Sequence, residues 1–153
     1  MNKLIYSVAT EKDIAFINET YNENINILHG VCRNHSAWKE LLSDKDCSYY
    51  VVSSDNPVAW FRIDVEAEEL WIGMLQVKPI YQHKGVGRYI LSVVEDIAKE
   101  KGYKKIGIHT TEDNIAARTL YLSSGYSATE IGPCTTADGK ERVGYTFQKE
   151  IQS

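Results

Sequence analysis

One helical pattern set between two strand-like runs constrains the fold more than any other feature of this chain. Apolar residues recur at helical spacing from Gly85 to Lys101, and Gly102 supplies a stop signal directly after them. The runs at residues 70–77 and 104–110, before and after this helix, have the composition of strands. Two strands joined by one helix normally cross over and lie parallel. The pattern therefore predicts a parallel strand pair in the middle of a sheet.

The runs that precede this crossover unit favour an antiparallel meander. Strand-like runs at residues 48–53 and 58–65 come before 70–77, and only short turns separate them. Turns of this length join antiparallel neighbours. We therefore predict an α/β or α+β fold with a mixed, mostly antiparallel sheet of about seven strands, flanked by helices. The remaining elements are a helix at 114–124 and strands at 3–8, 126–131 and 142–151.

Two further helices are predicted between the first and second strands. Thr10 offers an N-cap, with Asp13 three residues later and a run of apolar residues at helical spacing after it. Ser36 offers a cap for a shorter helix that contains Trp38. The first of these helices has one apolar face at helical spacing.

The composition bounds the class of protein. A chain of 153 residues, 43% hydrophobic and 25% charged, suits a single domain over residues 1–153. A net charge of −4 argues against a nucleic-acid partner. Because we find neither an apolar run of membrane-spanning length nor an export signal, we expect a cytoplasmic protein without membrane contact. Cys32, Cys47 and Cys134 are odd in number and form no CxxC pair, so we expect reduced, packed thiols.

The segment between the fourth strand and the long helix has the chemistry of an anion site. It reads QHKGVGR at residues 82–88. Its glycines let the backbone approach an anion, the first helical turn presents unpaired N–H groups, and Lys84 and Arg88 add positive charge. The same glycines would equally suit a tight turn with no ligand. The segment lacks the GK[ST] ending of a triphosphate-binding loop. It also has Ile90 where a dinucleotide-binding motif has glycine, so both kinds of site are disfavoured.

Two blocks of the sequence resemble one known family. Residues 77–87, VKPIYQHKGVG, follow the form V-x-P-x-x-(R/Q)-x-x-G-x-(G/A), which resembles the acyl-CoA signature of the GCN5-related N-acetyltransferases (GNATs). Residues 114–126 carry a second matching block, N-x-x-A-x-x-L-Y-x-x-x-G-Y, and the final F-x-K-x-I strand agrees as well. The resemblance spans nearly the whole chain. It implies a GNAT-like sheet in which parallel strands four and five splay apart.

By this resemblance, the chain binds acetyl-CoA as its acyl donor. The amides of the 82–88 loop would hold the pyrophosphate, and the backbone of Leu75 and Val77 would pair with the pantetheine arm like an added strand. The Leu75 amide would also stabilise an oxyanion, and Gly73 would assist a bulge or mark close packing. Asn114 would contact the cofactor, cap its helix, or do both. The implied binding set is Leu75, Val77, Gln82, His83, Lys84, Gly85, Val86, Gly87, Arg88, Asn114 and Tyr121.

Tyr121 stands where many members of the family place a general acid. An amine that attacks a thioester expels a thiolate, which a nearby phenol can protonate. The alternative is a core aromatic, because Leu120 and Tyr121 both fit an apolar helix face. The resemblance favours the catalytic role.

The general base has several candidates. Some branches of the family carry a glutamate on the fourth strand, and Trp71 occupies that position here. Glu69 lies two residues earlier on the same face, since strand side chains alternate. His109, near the end of the fifth strand, carries the side chain most often used as a base, or is a hydrogen-bonded wall residue. Glu68, Asp64 and a water relay are further alternatives.

One other cluster has residue types that can bind a metal. His29, Cys32 and His35 recur at three-residue steps, a spacing that would suit three ligands. Structural zinc usually takes four ligands, and no fourth lies nearby in the sequence. We therefore predict no metal.

The predicted activity is transfer of an acetyl group from acetyl-CoA to a primary amine, by direct attack in a ternary complex. Acceptor choice in this family resides largely in the first two helices, the meander turns and the last hairpin. Acidic and aromatic groups there would suit a cationic amine, although a solvated acidic surface explains the acidic ones more simply. We expect a small amine-bearing or amino-acid-like metabolite. The residues concerned include Tyr21, Asn22, Glu23, Asn24, Trp38, Trp60 and Trp71.

Other functions fit the same sequence. A non-catalytic acyl-CoA sensor on this fold would bind the donor without transfer and would not need Tyr121. A protein lysine or N-terminal acetyltransferase would combine the same donor site with a protein acceptor. An interaction domain without a cofactor is disfavoured by the two matching blocks. A homodimer is compatible with the resemblance, because dimers are frequent in such folds.

Overall fold

A computed structural model describes residues 1–152 and arranges them as a seven-stranded sheet with helices on both faces. The strands are β1 (Ile5–Val8), β2 (Cys47–Ser53), β3 (Pro57–Glu66), β4 (Glu69–Val77), β5 (Lys105–Thr111), β6 (Ser127–Thr135) and β7 (Glu141–Glu150). The helices are α1 (Ile14–Glu23), α2 (Ile25–Leu28), α3 (His35–Ser43), α4 (Val86–Lys101) and α5 (Ile115–Ser123). None of these helices has both the length and the apolar character needed to cross a bilayer.

The strand order within residues 1–152 is β1-β2-β3-β4-β5-β7-β6. The β4–β5 pair is parallel, and the other neighbouring pairs are antiparallel. Strands β2 to β4 form the predicted meander, and α4 is the crossover from β4 to β5. The predicted mixed sheet and its central parallel pair are both confirmed.

A separate apolar cluster lies on each face of the sheet. On one face, the stripe of α4 packs against the central strands through residues that include Val86, Ile90, Val94, Ile106 and Phe147. On the other face, α1 and α3 pack on the sheet, and Trp38 of α3 and Trp60 of β3 are fully buried and meet edge to face at 5.7 Å. Truncating either indole to alanine would cost roughly 3–5 kcal/mol of folding free energy. These clusters fix β3, β4 and β5 relative to the helices.

Side-chain caps set the start of two N-terminal helical segments. The backbone N–H of Thr10 donates to Asp13 Oδ2 at 2.8 Å in a capping box, as predicted. The prediction of Ser36 as a cap is wrong, because Asn34 caps α3. The Asn34 side chain accepts the Ala37 N–H at 2.9 Å. Asn34 is the last extended residue before α3, and Ser36 already lies within its first turn.

The three cysteines are free thiols, as predicted. Cys47 and Cys134 are half-buried, whereas Cys32 is exposed. The prediction of a packed thiol is therefore wrong for Cys32. It lies in the loop between α2 and α3, outside both apolar clusters.

Candidate active site

Strands β4 and β5 separate after three residue pairs and leave a cleft between them. They pair only from Leu70↔Ile106 to Ile72↔Ile108. The cleft has a volume of about 1020 Å³ and is lined by β4, β5, α1, α2, the N-terminal part of α4 and one side of α5 along its length. The splayed pair implied by the family resemblance is therefore confirmed.

A β-bulge at Gly73 bends β4 at the mouth of the cleft. The β3–β4 register shifts between Arg62 and Ile63, which leaves Gly73 without a partner on β3. A Cβ at Gly73 would overlap the Arg62 guanidinium and the Asp64 carboxylate, which form an ion pair at 3.0 Å. Glycine therefore serves both of the roles considered for it, the bulge and the close packing.

The edge of β4 beyond this bulge faces the open cleft. The Lys78 N–H donates to the Val58 carbonyl at 2.9 Å, so this end of β4 alternates between groups directed at β3 and groups directed away from it. By that alternation, the N–H and C=O groups of Val77 and Leu75 point toward the cleft. Since β5 has already diverged, this edge presents strand hydrogen-bonding groups without a neighbouring strand.

Two side-chain amides donate hydrogen bonds to one of those groups, the Val77 carbonyl. Asn24 and Gln82 each donate to the Val77 carbonyl at 3.0 Å, and Gln82 also donates to Asn24 Oδ1 at 3.2 Å. The Val77 N–H and both backbone groups of Leu75 are left along the open edge. Gln82 therefore ties the 82–88 loop to β4 through its side chain, a role that sequence reasoning missed.

The 82–88 loop brings the N-terminus of α4 to the cleft. His83 (φ 61°) and Gly85 (φ 86°) take left-handed backbone conformations. Gly85 directly precedes the helix, and no other atom lies within 4 Å of the position its Cβ would occupy. The first amides of α4, at Val86, Gly87 and Arg88, have no carbonyl of their own helix to bind. Free amides, the positive end of a 16-residue helix and open space suit an anion.

Gly87 and Arg88 connect α4 to α5. A Cβ at Gly87 would lie 2.8 Å from Leu120 Cδ2, so glycine permits this close packing. Arg88 Nη2 donates to Ser123 Oγ at 3.0 Å. The residues predicted to bind the cofactor all line the cleft except Lys84, which is exposed beside it.

Asn114 and Tyr121 place α5 in the cleft wall. Asn114 Oδ1 accepts the Ala117 N–H at 3.2 Å, which confirms the capping role, while its cofactor contact stays a prediction. Tyr121 is 5% exposed, lines the cleft and packs edge to face on Phe147 at 5.6 Å. Burial raises the pKa of Tyr121 well above its ordinary value, so the phenol keeps its proton. Tyr121 is thus both a residue of the apolar core and part of the cleft wall.

His109 and Trp71 lie on the face of the sheet opposite Tyr121. Their rings stack with centroids 4.8 Å apart, and a Cβ at Gly107 would overlap the indole, so glycine lets it lie over β5. His109 lines the cleft, and its Nδ1 is 3.0 Å from Thr146 Oγ1. The stacking and this hydrogen bond orient the imidazole.

The three acidic candidates for the general base lie outside the residues that line the cleft. Glu69 is 3.9 Å from Lys105 Nζ, and Glu68 sits in the β3–β4 turn with φ 65°. Asp64 is paired with Arg62 beneath the Gly73 bulge. The structure therefore brings His109 to the cleft and leaves the carboxylates outside it.

The predicted acceptor residues divide between cleft, core and surface. Tyr21 and Asn24 line the cleft, Trp38 and Trp60 are core residues, and Asn22 is exposed. The carboxylates of Glu23 and Glu19 contact Lys78 Nζ at 2.6 and 2.9 Å. Both hydrogen bonds raise the pKa of Lys78, and the one with Glu23 has the larger effect. The acidic groups of α1 are thus engaged by a lysine.

The segment from His29 to His35 makes a structural contact through His29. His29 Nε2 is 2.7 Å from Asp113 Oδ2, and Thr111 Oγ1 donates to Asp113 Oδ1 at 2.6 Å. The hydrogen bond from Thr111 and the contact with His29 lower the pKa of Asp113. No group of three or more His, Cys, Asp or Glu side chains suited to a metal occurs in residues 1–152. His29 therefore joins α2 to the β5–α5 connection.

Two arginines near the cleft were missed by sequence reasoning. Arg62 and Asp64 are alternate residues of β3, and the strand is otherwise apolar from Pro57 to Val65. This polar pair is the sequence signal that would have marked Arg62. Arg33 lines the cleft from the loop between α2 and α3. No sequence signal places Arg33, because its position depends on contacts with α1 and α3.

Comparison with known proteins identifies the class to which this fold and site belong. Residues 14–126 match the family described as the Acetyltransferase (GNAT) family, which covers well over half of the chain. The protein belongs to this family of acetyltransferases.

Solved structures of family members share the fold over nearly the whole chain. The ribosomal-protein-S18-alanine N-acetyltransferase from Escherichia coli superposes with a TM-score of 0.80 at 19% identity, over 99% of this chain and 96% of that one. A putative acetyltransferase from Salmonella typhimurium, solved with its cofactor acetyl-CoA, gives 0.79 at 20% identity over 99% and 96%. PaiA N-acetyltransferase from Thermoplasma acidophilum, solved with coenzyme A, gives 0.73 at 17% over 97% and 99%.

Curated relatives match by sequence over shorter segments. "Uncharacterized N-acetyltransferase YycN" of Bacillus subtilis is 26% identical over 102 residues, 64% of this chain and 59% of that protein. "Probable N-acetyltransferase 14" of Xenopus tropicalis is 32% identical over 78 residues, 51% of this chain and 34% of that protein. The chain thus spans about three fifths or less of the curated relatives it matches.

Proposed function

We propose that the chain transfers an acetyl group from acetyl-CoA to a primary amine, with both substrates bound in the cleft between β4 and β5. One observation carries this proposal. The unpaired edge of β4 at Leu75 and Val77 and the N-terminus of α4 line the same cleft. A strand-like arm that ends in a pyrophosphate needs these two features side by side.

The residues of the cleft fit the donor. The amides at Val86, Gly87 and Arg88 suit the pyrophosphate, and the space above Gly85 lets it approach the backbone. The Val77 N–H and the backbone of Leu75 suit the amides of the pantetheine arm. The fold neighbours from Salmonella typhimurium and Thermoplasma acidophilum, solved with acetyl-CoA and coenzyme A, add support from the shared fold.

Leu75 and Tyr121 are the groups proposed to stabilise the acyl oxygen and to protonate the leaving thiolate. Bound acetyl-CoA would supply a thioester as the acyl group to be transferred. The Leu75 N–H would donate to the acyl oxygen as negative charge develops on it. The Tyr121 phenol, which burial keeps protonated, would donate its proton to the departing sulfur.

His109 is the base that the geometry favours over Glu69. It lines the cleft and has one ring nitrogen held by Thr146, whereas Glu69 does not line the cleft and lies near Lys105. A base must lie within hydrogen-bond reach of the amine that it deprotonates, directly or through one water. The proposed path therefore runs from the amine to His109 Nε2.

Calorimetric titration with acetyl-CoA, followed by a thiol-release assay over a panel of amines, tests the proposal. We expect saturable binding of acetyl-CoA and amine-dependent release of CoA thiol. If acetyl-CoA fails to bind even at millimolar concentration, the proposal is wrong. Binding without release for every amine would instead favour the sensor function.

A further inference from the structure

Arg33 is a cation in the cleft whose charge no described side chain balances. Its Nη1 atom is buried and has no hydrogen-bond partner within residues 1–152. Buried polar atoms are nearly always hydrogen-bonded in native proteins, and a guanidinium is costly to leave unpaired. Arg33 also lines the cleft and forms no ion pair within residues 1–152, so its guanidinium is available to a ligand that enters the cleft.

Aromatic rings hold this guanidinium in place. Arg33 Cζ lies 5.1 Å from the centroid of the Tyr21 ring and 5.2 Å from that of Trp38. A Cβ at Gly30 would overlap the Tyr21 hydroxyl, so the loop that carries Arg33 also packs tightly on α1. Cation–π contacts orient the guanidinium but accept none of its hydrogen bonds. Arg33 is thus positioned in advance and left with unused donors.

The rest of the cleft offers nothing that would neutralise Arg33. The residues that line it include Arg33 and Arg88 but no aspartate or glutamate. Neighbouring carboxylates are engaged elsewhere: Glu19 and Glu23 contact Lys78, Asp64 contacts Arg62, and Asp113 contacts His29. A polycationic acceptor would therefore meet positive charge and find no carboxylate to bind it.

Arg33 belongs to the acceptor side of the cleft. Its aromatic supports, Tyr21 and Trp38, pack with Met74 and Trp60 on the face of the sheet covered by α1 and α3. The 82–88 loop leads into α4, which packs on the other face. Arg33 thus lies on the same face of the sheet as His109, whereas α4, which begins at the donor's proposed pyrophosphate site, packs on the other face.

We infer that Arg33 binds a carboxylate of the acceptor, so that the substrate is an amino acid or a close analogue with an amine and a carboxylate in one small molecule. This inference rests on the proposed acetyl transfer and names its acceptor class. A planar guanidinium pairs with a carboxylate through two parallel hydrogen bonds. Arg33 would fix one end of the acceptor while its amine lies toward His109.

The wild-type protein tests this inference with matched acceptors. In the thiol-release assay, each L-amino acid is compared with the amine that lacks only its carboxylate, such as leucine with isoamylamine and phenylalanine with phenethylamine. We expect kcat/KM for the best amino acid to exceed that of its matched amine by roughly 10- to 100-fold. Equal or faster acetylation of the matched amines, or of spermidine, would overturn the inference and leave the proposed acetyl transfer standing.

Variants of Arg33 provide the second test. We expect Arg33→Gln to raise KM for the amino acid by roughly 10-fold or more, with Arg33→Lys intermediate and KM for acetyl-CoA unchanged. Lys39→Gln removes an exposed charge on α3 outside the cleft and is the matched control. A fall in kcat alone, or an equal change with Lys39→Gln, would contradict carboxylate binding by Arg33.

Calorimetry separates failure of this inference from failure of the proposed function. Each amino acid is titrated into the protein saturated with CoA. If CoA binds but no amino acid does and none is acetylated, the carboxylate inference is wrong. If CoA itself does not bind, the proposed function is wrong.

Discussion

The indole of Trp71 stacks on the imidazole of His109, with ring centroids 4.8 Å apart and ring planes 12° apart. Thr146 Oγ1, 3.0 Å from Nδ1, fixes the rotation of the same ring. An imidazole held by stacking and by one nitrogen presents the other nitrogen in a defined direction. This arrangement suits a proton acceptor better than it suits a side chain that only covers the sheet.

We predict that His109→Gln lowers kcat/KM by about 10²–10⁴-fold, because the acceptor amine loses its base. The affinity for acetyl-CoA should not change, since His109 lies on the acceptor face. Thiol release at saturating acetyl-CoA measures the first quantity, and calorimetry measures the second. Glu69→Gln is the matched control and should stay within about twofold of wild type. A larger loss with Glu69→Gln would transfer the role of base to that carboxylate.

Replacing Gly73 with alanine should destabilise the protein by about 1–3 kcal/mol, because a Cβ there would overlap Arg62 and Asp64. Relief of the overlap would move the bulge, so we also expect weaker binding of acetyl-CoA. Urea unfolding and calorimetry measure the two effects. Gly132→Ala is the control, because this glycine of β6 has no atom within 4 Å of an added Cβ. Equal destabilisation by both substitutions would show that packing at the bulge is unimportant.

Valine in place of Gly85 should weaken acetyl-CoA binding, because a side chain would fill the space through which the pyrophosphate reaches the backbone. Backbone strain alone would also destabilise the variant, by roughly 1–2 kcal/mol. Gly102→Val separates the two effects, because Gly102 lies at the other end of α4 with φ 79°, close to the 86° of Gly85. Calorimetry should show normal affinity for Gly102→Val. If both variants bind acetyl-CoA equally well, the 82–88 loop does not hold the donor.

Local signals were enough to predict most of the fold. The apolar stripe and glycine stop of α4 depend on neighbouring residues, and so do the short turns of the β2–β4 meander. The cap of α3 shows where such signals fail. Asn34 and Ser36 are both good capping residues, and the backbone conformation, extended at Asn34, decided between them.

The candidate site was predictable only where its residues are contiguous in the sequence. The 82–88 loop and Asn114 are contiguous motifs, and the structure places both at the cleft. The β4–β5 pairing ends instead beside the bulge at Gly73, which packs against a β3 ion pair. Arg33 reaches the cleft because Tyr21 and Trp38, from two different helices, support it. Contacts of this kind join distant segments and have no periodic signature in the sequence.

Tyr121→Phe should lower kcat by roughly 10²-fold while leaving the affinity for acetyl-CoA nearly intact, because only proton donation is lost. Single-turnover kinetics and calorimetry measure the two quantities. Tyr126→Phe is a matched control, because Tyr126 is equally buried but does not line the cleft. An unchanged rate for Tyr121→Phe, with chemistry shown to be limiting, would remove Tyr121 from the role of acid.

The same two tyrosines should limit stability in alkali. Burial raises the pKa of Tyr121 and of Tyr126 above the ordinary value of 10.0, and for Tyr126 the Glu95 carboxylate adds to the effect. In the unfolded chain both phenols ionise near pH 10. Above that pH the unfolded state loses protons that the folded state retains. The free energy of unfolding therefore keeps its full value below about pH 10 and decreases as the pH rises further.

Urea unfolding at a series of pH values between about pH 8 and about pH 11 should show this decline. The Tyr121→Phe/Tyr126→Phe double variant should decline less steeply, because it has lost both buried phenols. Tyr6→Phe, at an exposed tyrosine, is the control and should follow wild type. Identical slopes for wild type and the double variant would mean that other groups govern alkaline unfolding. A shallower slope for the double variant alone would show that both phenols stay protonated in the folded state, as proton donation by Tyr121 requires.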